Sequence, residues 1–218
     1  PLKLDPEGIA RVADGFWIAS EGATVDGNEL VKVNAAGVLQ QRVKLPASVQ
    51  ALFASAKTST GFEGVTASAD GQTLYMAVQR GYDLNKPQAA ILKLHLPTMA
   101  WTSALVPLDQ HSRDAKQFWM GLSEIQLTDD GRLLLLERDK GGGEGRAINA
   151  EVKRIYSVHA ADVVDGAVLK KTLVKDLRKD FTWLHEKAEG MVVHQGELWV
   201  VNDNDGAGWT RLLNAGRP

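Results

Sequence analysis

The sequence predicts an all-β protein, a β-propeller built from four-stranded blades. Three observations predict it: a phrase that recurs about four times, hairpin chemistry inside each copy, and little helical periodicity. The phrase is a glutamate, usually followed by glycine, then a short apolar run, an acidic-glycine turn and a second apolar run. It starts at Glu7, Glu63, Glu124 and Glu189, spaced by roughly 60 residues. A sandwich can also use many hairpins, but has no reason to restart each unit on the same step. A propeller does, because equivalent inner strands converge on a central channel.

The first hairpin joins Gly8-Ile9-Ala10 to Phe16-Trp17-Ile18-Ala19 through Asp14-Gly15, a turn that favours positive φ. Glu29-Leu30-Val31-Lys32-Val33 follows as a strand with one polar face. The second hairpin turns at Asp70-Gly71, and Ala90-Ile91-Leu92-Lys93-Leu94-His95-Leu96 alternates like another half-exposed strand. The third turns at Asp130-Gly131 before Val152-Lys153-Arg154-Ile155-Tyr156-Ser157-Val158, and the fourth turns at Gln195-Gly196. One or two helical turns are expected within residues 110–120 and 173–179, in the links between blades. The 218 residues hold about four units, and the first opens only at Asp5. The expectation is one domain, 1–218, amino-terminally incomplete and part of a five- or six-bladed propeller. Open blade edges would favour self-association.

Composition narrows the partners. With 44% hydrophobic and 24% charged residues the chain can bury a sizeable core. A net charge of −2 without a dense Lys/Arg block argues against nucleic acid, and no segment suggests membrane insertion. The absence of cysteine excludes disulfides, thiolate catalysis and cysteine-based metal sites.

The chemistry rests on carboxylates. Glu7, Glu63, Glu124 and Glu189 are read as equivalent positions, with Glu21 and Glu137 closing second strands and Asp203 and Asp205 forming a further oxygen-rich run. Carboxylates gathered at a channel mouth repel one another unless a cation or arginines join them. Oxygen ligands in flexible number favour calcium. The alternative is that each Glu-Gly merely caps a turn, as such residues commonly do. Arg80, Arg138, Lys140, Arg146 and Lys187 are candidates for an anionic group, Arg138 foremost because it ends an apolar strand; the alternative for each is that it neutralises a neighbouring glutamate or faces water. His185 precedes a repeated glutamate and could assist proton transfer. No Gly-x-Ser-x-Gly elbow is present, and Ser20 and Ser123 suit backbone bonding better than attack on a substrate. Trp119 and Trp183 are the tryptophans placed to line a pocket.

The phrases Asp5-Pro6-Glu7-Gly8-Ile9-Ala10, Phe16-Trp17-Ile18-Ala19-Ser20-Glu21-Gly22, Gly61-Phe62-Glu63-Gly64-Val65, Gly121-Leu122-Ser123-Glu124-Ile125, Leu135-Leu136-Glu137-Arg138-Asp139 and Ala188-Glu189-Gly190-Met191 through Asp205 resemble the phytase-like propeller family described as "esterase-like activity of phytase". The resemblance implies a bacterial, periplasmic or secreted propeller related to calcium-dependent phytases, with calcium as cofactor and a small anionic phosphate ester as substrate. It leaves three readings: a calcium-dependent phosphoester hydrolase, a non-catalytic calcium-stabilised scaffold, and a metal-dependent lactonase or carboxyl-ester hydrolase.

Overall fold

A computed structural model describes residues 4–22, 27–50, 60–80, 87–113, 119–141, 150–183, 185, 187–203 and 210–218. The first antiparallel sheet is β1 (Asp5–Val12), β2 (Gly15–Glu21), β3 (Glu29–Asn34) and β4 (Leu39–Lys44). The second is β5 (Phe62–Ala67), β6 (Thr73–Val78), β7 (Gln88–His95) and β8 (Ala100–Pro107). The third is β9 (Met120–Leu127), β10 (Arg132–Asp139), β11 (Lys153–His159) and β12 (Thr172–Asp176). A fourth contains β13 (Ala188–His194), β14 (Glu197–Asn202) and the short β15 (Leu212–Asn214). Each sheet is a meander in chain order, and the inner strands β1, β5, β9 and β13 pack side by side in that order. Ile9, Val65, Gln126 and Val192, one from each inner strand, line a common cavity of about 290 Å³. The protein is a β-propeller with a central channel.

The core consists of layers between blades. On β6 and β7, Leu74, Met76, Val78, Ala90, Leu92 and Leu94 pack towards the first blade, while Ala77, Ala89 and Ile91 pack towards the third. On β10, Leu133 and Leu135 face the second blade and Leu134 and Leu136 face the fourth. A strand with a blade on each side has no solvent face, so its apolar residues run on without a break. This corrects the half-exposed reading of β7, which is buried over most of its length.

The turn glycines Gly71, Gly131 and Gly196 have φ of 68°, 80° and 76°, the left-handed region that the hairpins require. Another correction concerns 173–179, where β12 runs to Asp176 before α2 (Leu177–Phe181) begins. The Asp176 side chain caps this helix, accepting the Lys179 N–H at 3.2 Å. A second short helix, α1 (Ala47–Gln50), follows β4. Of the other helical expectation, 114–118 lie outside the described residues, 110–113 form no helix, and Met120 already belongs to β9.

Candidate functional site

The recurring glutamate sits on an irregularity of the ladder. Pairing slips between Pro6 and Gly8 in β1, between Phe62 and Gly64 in β5, and between Ala188 and Gly190 in β13. Glu7, Glu63 and Glu189 are therefore bulged residues, a device that re-aims a side chain out of the strand alternation. In the third blade Leu136 pairs with Glu124 and Glu137 with Leu122, so the bulged residue is Ser123. The equivalence expected for Glu124 is off by one: Glu124 stands where the other inner strands carry Gly8, Gly64 and Gly190.

The glycines have a physical task at this point. A Cβ on Gly8 would lie 2.7 Å from both Gly64 Cα and Val65 N, and one on Gly64 would lie 2.7 Å from Ile125 N and also meet the Glu124 carboxylate. Adjacent inner strands thus touch backbone to backbone. Glu124 fills the next interval: its carboxylate accepts from Ile125 N–H at 2.9 Å and from Met191 N–H, bridging β9 and β13. Burial raises its pKa well above the ordinary carboxylate range, with these two amides opposing the shift. Ser123 is 2% exposed and donates its hydroxyl to Ala188 O at 2.7 Å, the backbone role expected of it.

At this end of the channel the acidic groups converge. One carboxylate oxygen each from Asp5, Glu7 and Glu21 lie within 4.8 Å of one another. Asp5 and Glu21 face each other across β1 and β2, and the Asp5 N–H donates to Ser20 Oγ at 3.0 Å. Glu21 accepts the Gly61 N–H at 2.5 Å, joining the first blade to the start of the second. Glu63 is 5% exposed and receives a bond from Gln79 Nε2. Glu189 is ion-paired with Arg138, which is 4% exposed and places its guanidinium carbon 5.3 Å from the centroid of the Trp119 ring. Lys187, in a left-handed conformation with φ of 48°, pairs with Asp203 at 3.4 Å.

These groups feel one another. Burial lifts Glu7 to a pKa of about 7, reinforced by Asp5, Glu21 and Glu189 and opposed by Lys187. Glu63 is raised well above its ordinary value by burial, with Arg138 opposing and Glu7, Glu189 and Glu21 adding to it. Burial also raises Glu189, against Arg138 and Lys187, and Glu21, against the Gly61 amide. Among the described residues, Arg138 and Lys187 are outnumbered by these carboxylates. The donor set is hard oxygen, of one sign, and drawn from several strands.

The sequence matches the Phytase-like family, described as "Esterase-like activity of phytase", over residues 1–206. The chain belongs to that family. No curated protein sequence matches it significantly. Among solved structures it is similar to an engineered GH43 glycoside hydrolase displaying endo-xylanase and exo-arabinofuranosidase activity (TM-score 0.58, 9% identity, 97% of this chain and 39% of the other). It is also similar to the Bacteroides ovatus xyloglucan PUL GH43B (TM-score 0.51, 12% identity, 97% and 38%). At these identities the likeness shows the propeller fold alone, and the chain spans about two fifths of either structure's length.

Of the other residues that the sequence marks out in this family member, Glu137 parts from the acidic centre. It is fully buried in a separate cluster, accepting from Asp109 N–H and Lys171 Nζ at 2.5 Å each. Asp109 in turn binds Arg154, Tyr156 Oη at 2.6 Å and Lys171 Nζ at 2.8 Å. Burial raises Glu137 to a pKa of about 7, with Lys171 opposing. Lys140 is exposed, its backbone N–H bonded to Trp119 O at 3.2 Å. His185 meets Trp183 edge-on, with ring centroids 4.9 Å apart. Asp205 and Arg146 lie outside the described residues.

Sequence reasoning misses Asp5, Gln79 and the pair Asp139–Lys153. Asp5 opens the first recurring phrase and Asp139 closes the Glu137-Arg138-Asp139 run, so both were adjacent to marked residues. Lys153 gives no such signal: it reads as a polar-face residue, yet it is fully buried with Nζ 3.0 Å from Asp139 Oδ1.

Proposed function

We propose that the protein is a calcium-dependent hydrolase of phosphate esters, acting at the end of the propeller channel. The observation that carries this reading is the convergence of Asp5, Glu7 and Glu21 beside Glu63, Glu189 and Arg138. The residues fit calcium, because three carboxylates already share a space of ion-binding size and their mutual repulsion favours a positive guest. Asp5, Glu7 and Glu21 would hold it. Bound there, calcium supplies positive charge that offsets phosphate oxygens and acidifies a nearby water.

The chain's own groups account for the other roles. Arg138, fixed by Glu189 and stacked on Trp119, orients an oxyanion. Lys140 lies exposed two residues further on and would add positive charge to the field that an anion meets on approach. Burial raises the Glu63 pKa well above the usual carboxylate range and its Oε1 accepts from Gln79, so Oε2 is the atom that would give a proton to the leaving oxygen. A small anionic ester and an exported, periplasmic or secreted setting belong to the same reading.

The test is hydrolysis of 4-nitrophenyl phosphate with calcium and with a chelator, beside an aryl acetate and a lactone. Phosphate-ester turnover that is lost in chelator and restored by calcium supports the proposal; turnover indifferent to chelator, or confined to the acetate or lactone, removes it. A second reading, a cation that only stabilises a binding scaffold, is favoured by one observation: Glu21 already spends an oxygen on Gly61 N–H. On that reading Glu63→Gln and Glu189→Gln alter stability and no substrate turns over.

A further inference from the structure

Arg80 follows β6 by two residues and plays no part in the proposal above. Its guanidinium carbon lies 5.2 Å from the Trp119 ring centroid, the same ring that Arg138 approaches at 5.3 Å. Two like charges on one indole repel, and the ring quadrupole only partly offsets this. Arg138 is balanced by Glu189. Arg80 has no such carboxylate among the described residues, and burial lowers its pKa. The Nε of Arg138 is itself buried without an acceptor among the described residues.

Both deficits call for the same chemistry, a compact oxyanion that accepts N–H bonds from guanidinium groups. Gln79 ties this place to the acidic centre, since it precedes Arg80 and donates to Glu63. Gly121 permits the arrangement, because a Cβ there would lie 3.0 Å from both Gln79 and Trp119. We propose that Arg80, Trp119 and the Nε edge of Arg138 form an anion-binding subsite beside the carboxylate cluster, which takes a phosphate or carboxylate group of the substrate. Calling the ligand a substrate rests on the hydrolase reading; binding of the anion does not.

Titration of the full chain in chelator with inorganic phosphate, and separately with acetate, tests the subsite without requiring turnover. Tryptophan emission is followed for wild type, Trp119→Phe, Arg80→Gln and Arg80→Lys, with circular dichroism confirming the fold. One of the anions is expected to perturb wild-type emission saturably. Trp119→Phe should abolish that signal, Arg80→Gln should weaken binding about tenfold or more, and Arg80→Lys should lie between, because lysine keeps the charge and loses the planar fork. The anion that binds more tightly names the group. No saturable change with either anion, or equal affinity in Arg80→Gln, overturns the proposal. Anion binding that persists while phosphate esters are not hydrolysed removes the hydrolase reading and leaves the subsite standing.

Discussion

Replacing Lys153 with Met separates a buried ion pair without opening a large cavity. Lys153 and Asp139 are both 0% exposed, and Nζ donates to Asp139 Oδ1 at 3.0 Å, Asp139 O at 2.9 Å and Gly141 O at 2.6 Å. Removing one partner of such a pair costs about 3–5 kcal/mol, because the other charge stays in the interior. Here the two ends are unequal. Asp139 keeps backbone donors from Gly141, Glu151 and Val152 at 3.0, 2.5 and 2.9 Å, so Lys153→Met is expected near the low end, about 3 kcal/mol. Asp139→Asn leaves an ammonium group facing carbonyls and sets an amide NH2 where backbone N–H groups point, so it is expected near about 5 kcal/mol. For 218 residues, at about 2.1 cal/mol/K per residue, these costs lower Tm by about 6–7 °C and about 11 °C. Urea denaturation and calorimetry of both variants, and of the double variant, measure them. Losses under about 1 kcal/mol in both single variants, or a double-variant loss equal to their sum, would refute the coupled buried pair. Asp139 adjoins Arg138 and bonds to backbone on both sides of residues 142–149, so the same variants should also speed amide exchange at Gly141 and Val152.

Three further predictions concern the channel. Glu63→Gln replaces a buried carboxyl group, whose ionisation its surroundings oppose, with an amide that does not titrate, so in chelator it should raise Tm at pH 8 by a few degrees while reducing the extra stability conferred by millimolar calcium; a destabilised variant with full calcium response would argue against the acidic centre. Glu7 and Glu137 have folded-state pKa values raised from 4.5 to about 7, so the folded state binds more protons than the unfolded chain across that interval and stability in chelator should fall as pH rises from about 4.5 through 7, by up to about 3 kcal/mol for buried Glu137. Melting curves across this range check it, and Glu137→Gln should flatten the fall. Gly8→Ala forces a methyl within 2.7 Å of the Gly64 and Val65 backbone and should cost about 1–3 kcal/mol or more in urea denaturation, whereas Gly131→Ala, strained only by its positive φ, should cost about 1 kcal/mol.

The sequence alone determined the blades. Hairpins at Asp14-Gly15, Asp70-Gly71, Asp130-Gly131 and Gln195-Gly196 are local: the turn residue and the apolar runs beside it lie within about ten residues, and their repetition implies a propeller before any long-range contact is known. It also marked Glu7, Glu63 and Glu189, because a bulge repeated at the same step leaves its own spacing in the chain, and Arg138, because it ends an apolar strand. The tertiary structure decided which carboxylates share a space. A slip of one residue put Ser123 in the glutamate's place and turned Glu124 to the backbone of the next blade. Lys171 and Asp109, distant in sequence, drew Glu137 into another cluster, and flanking blades buried both faces of β7 and β10. Pattern along a chain records which face a side chain takes within its own sheet. What that face meets depends on neighbouring sheets and on ladder register, and a register shift of one residue is enough to move a charge to different partners.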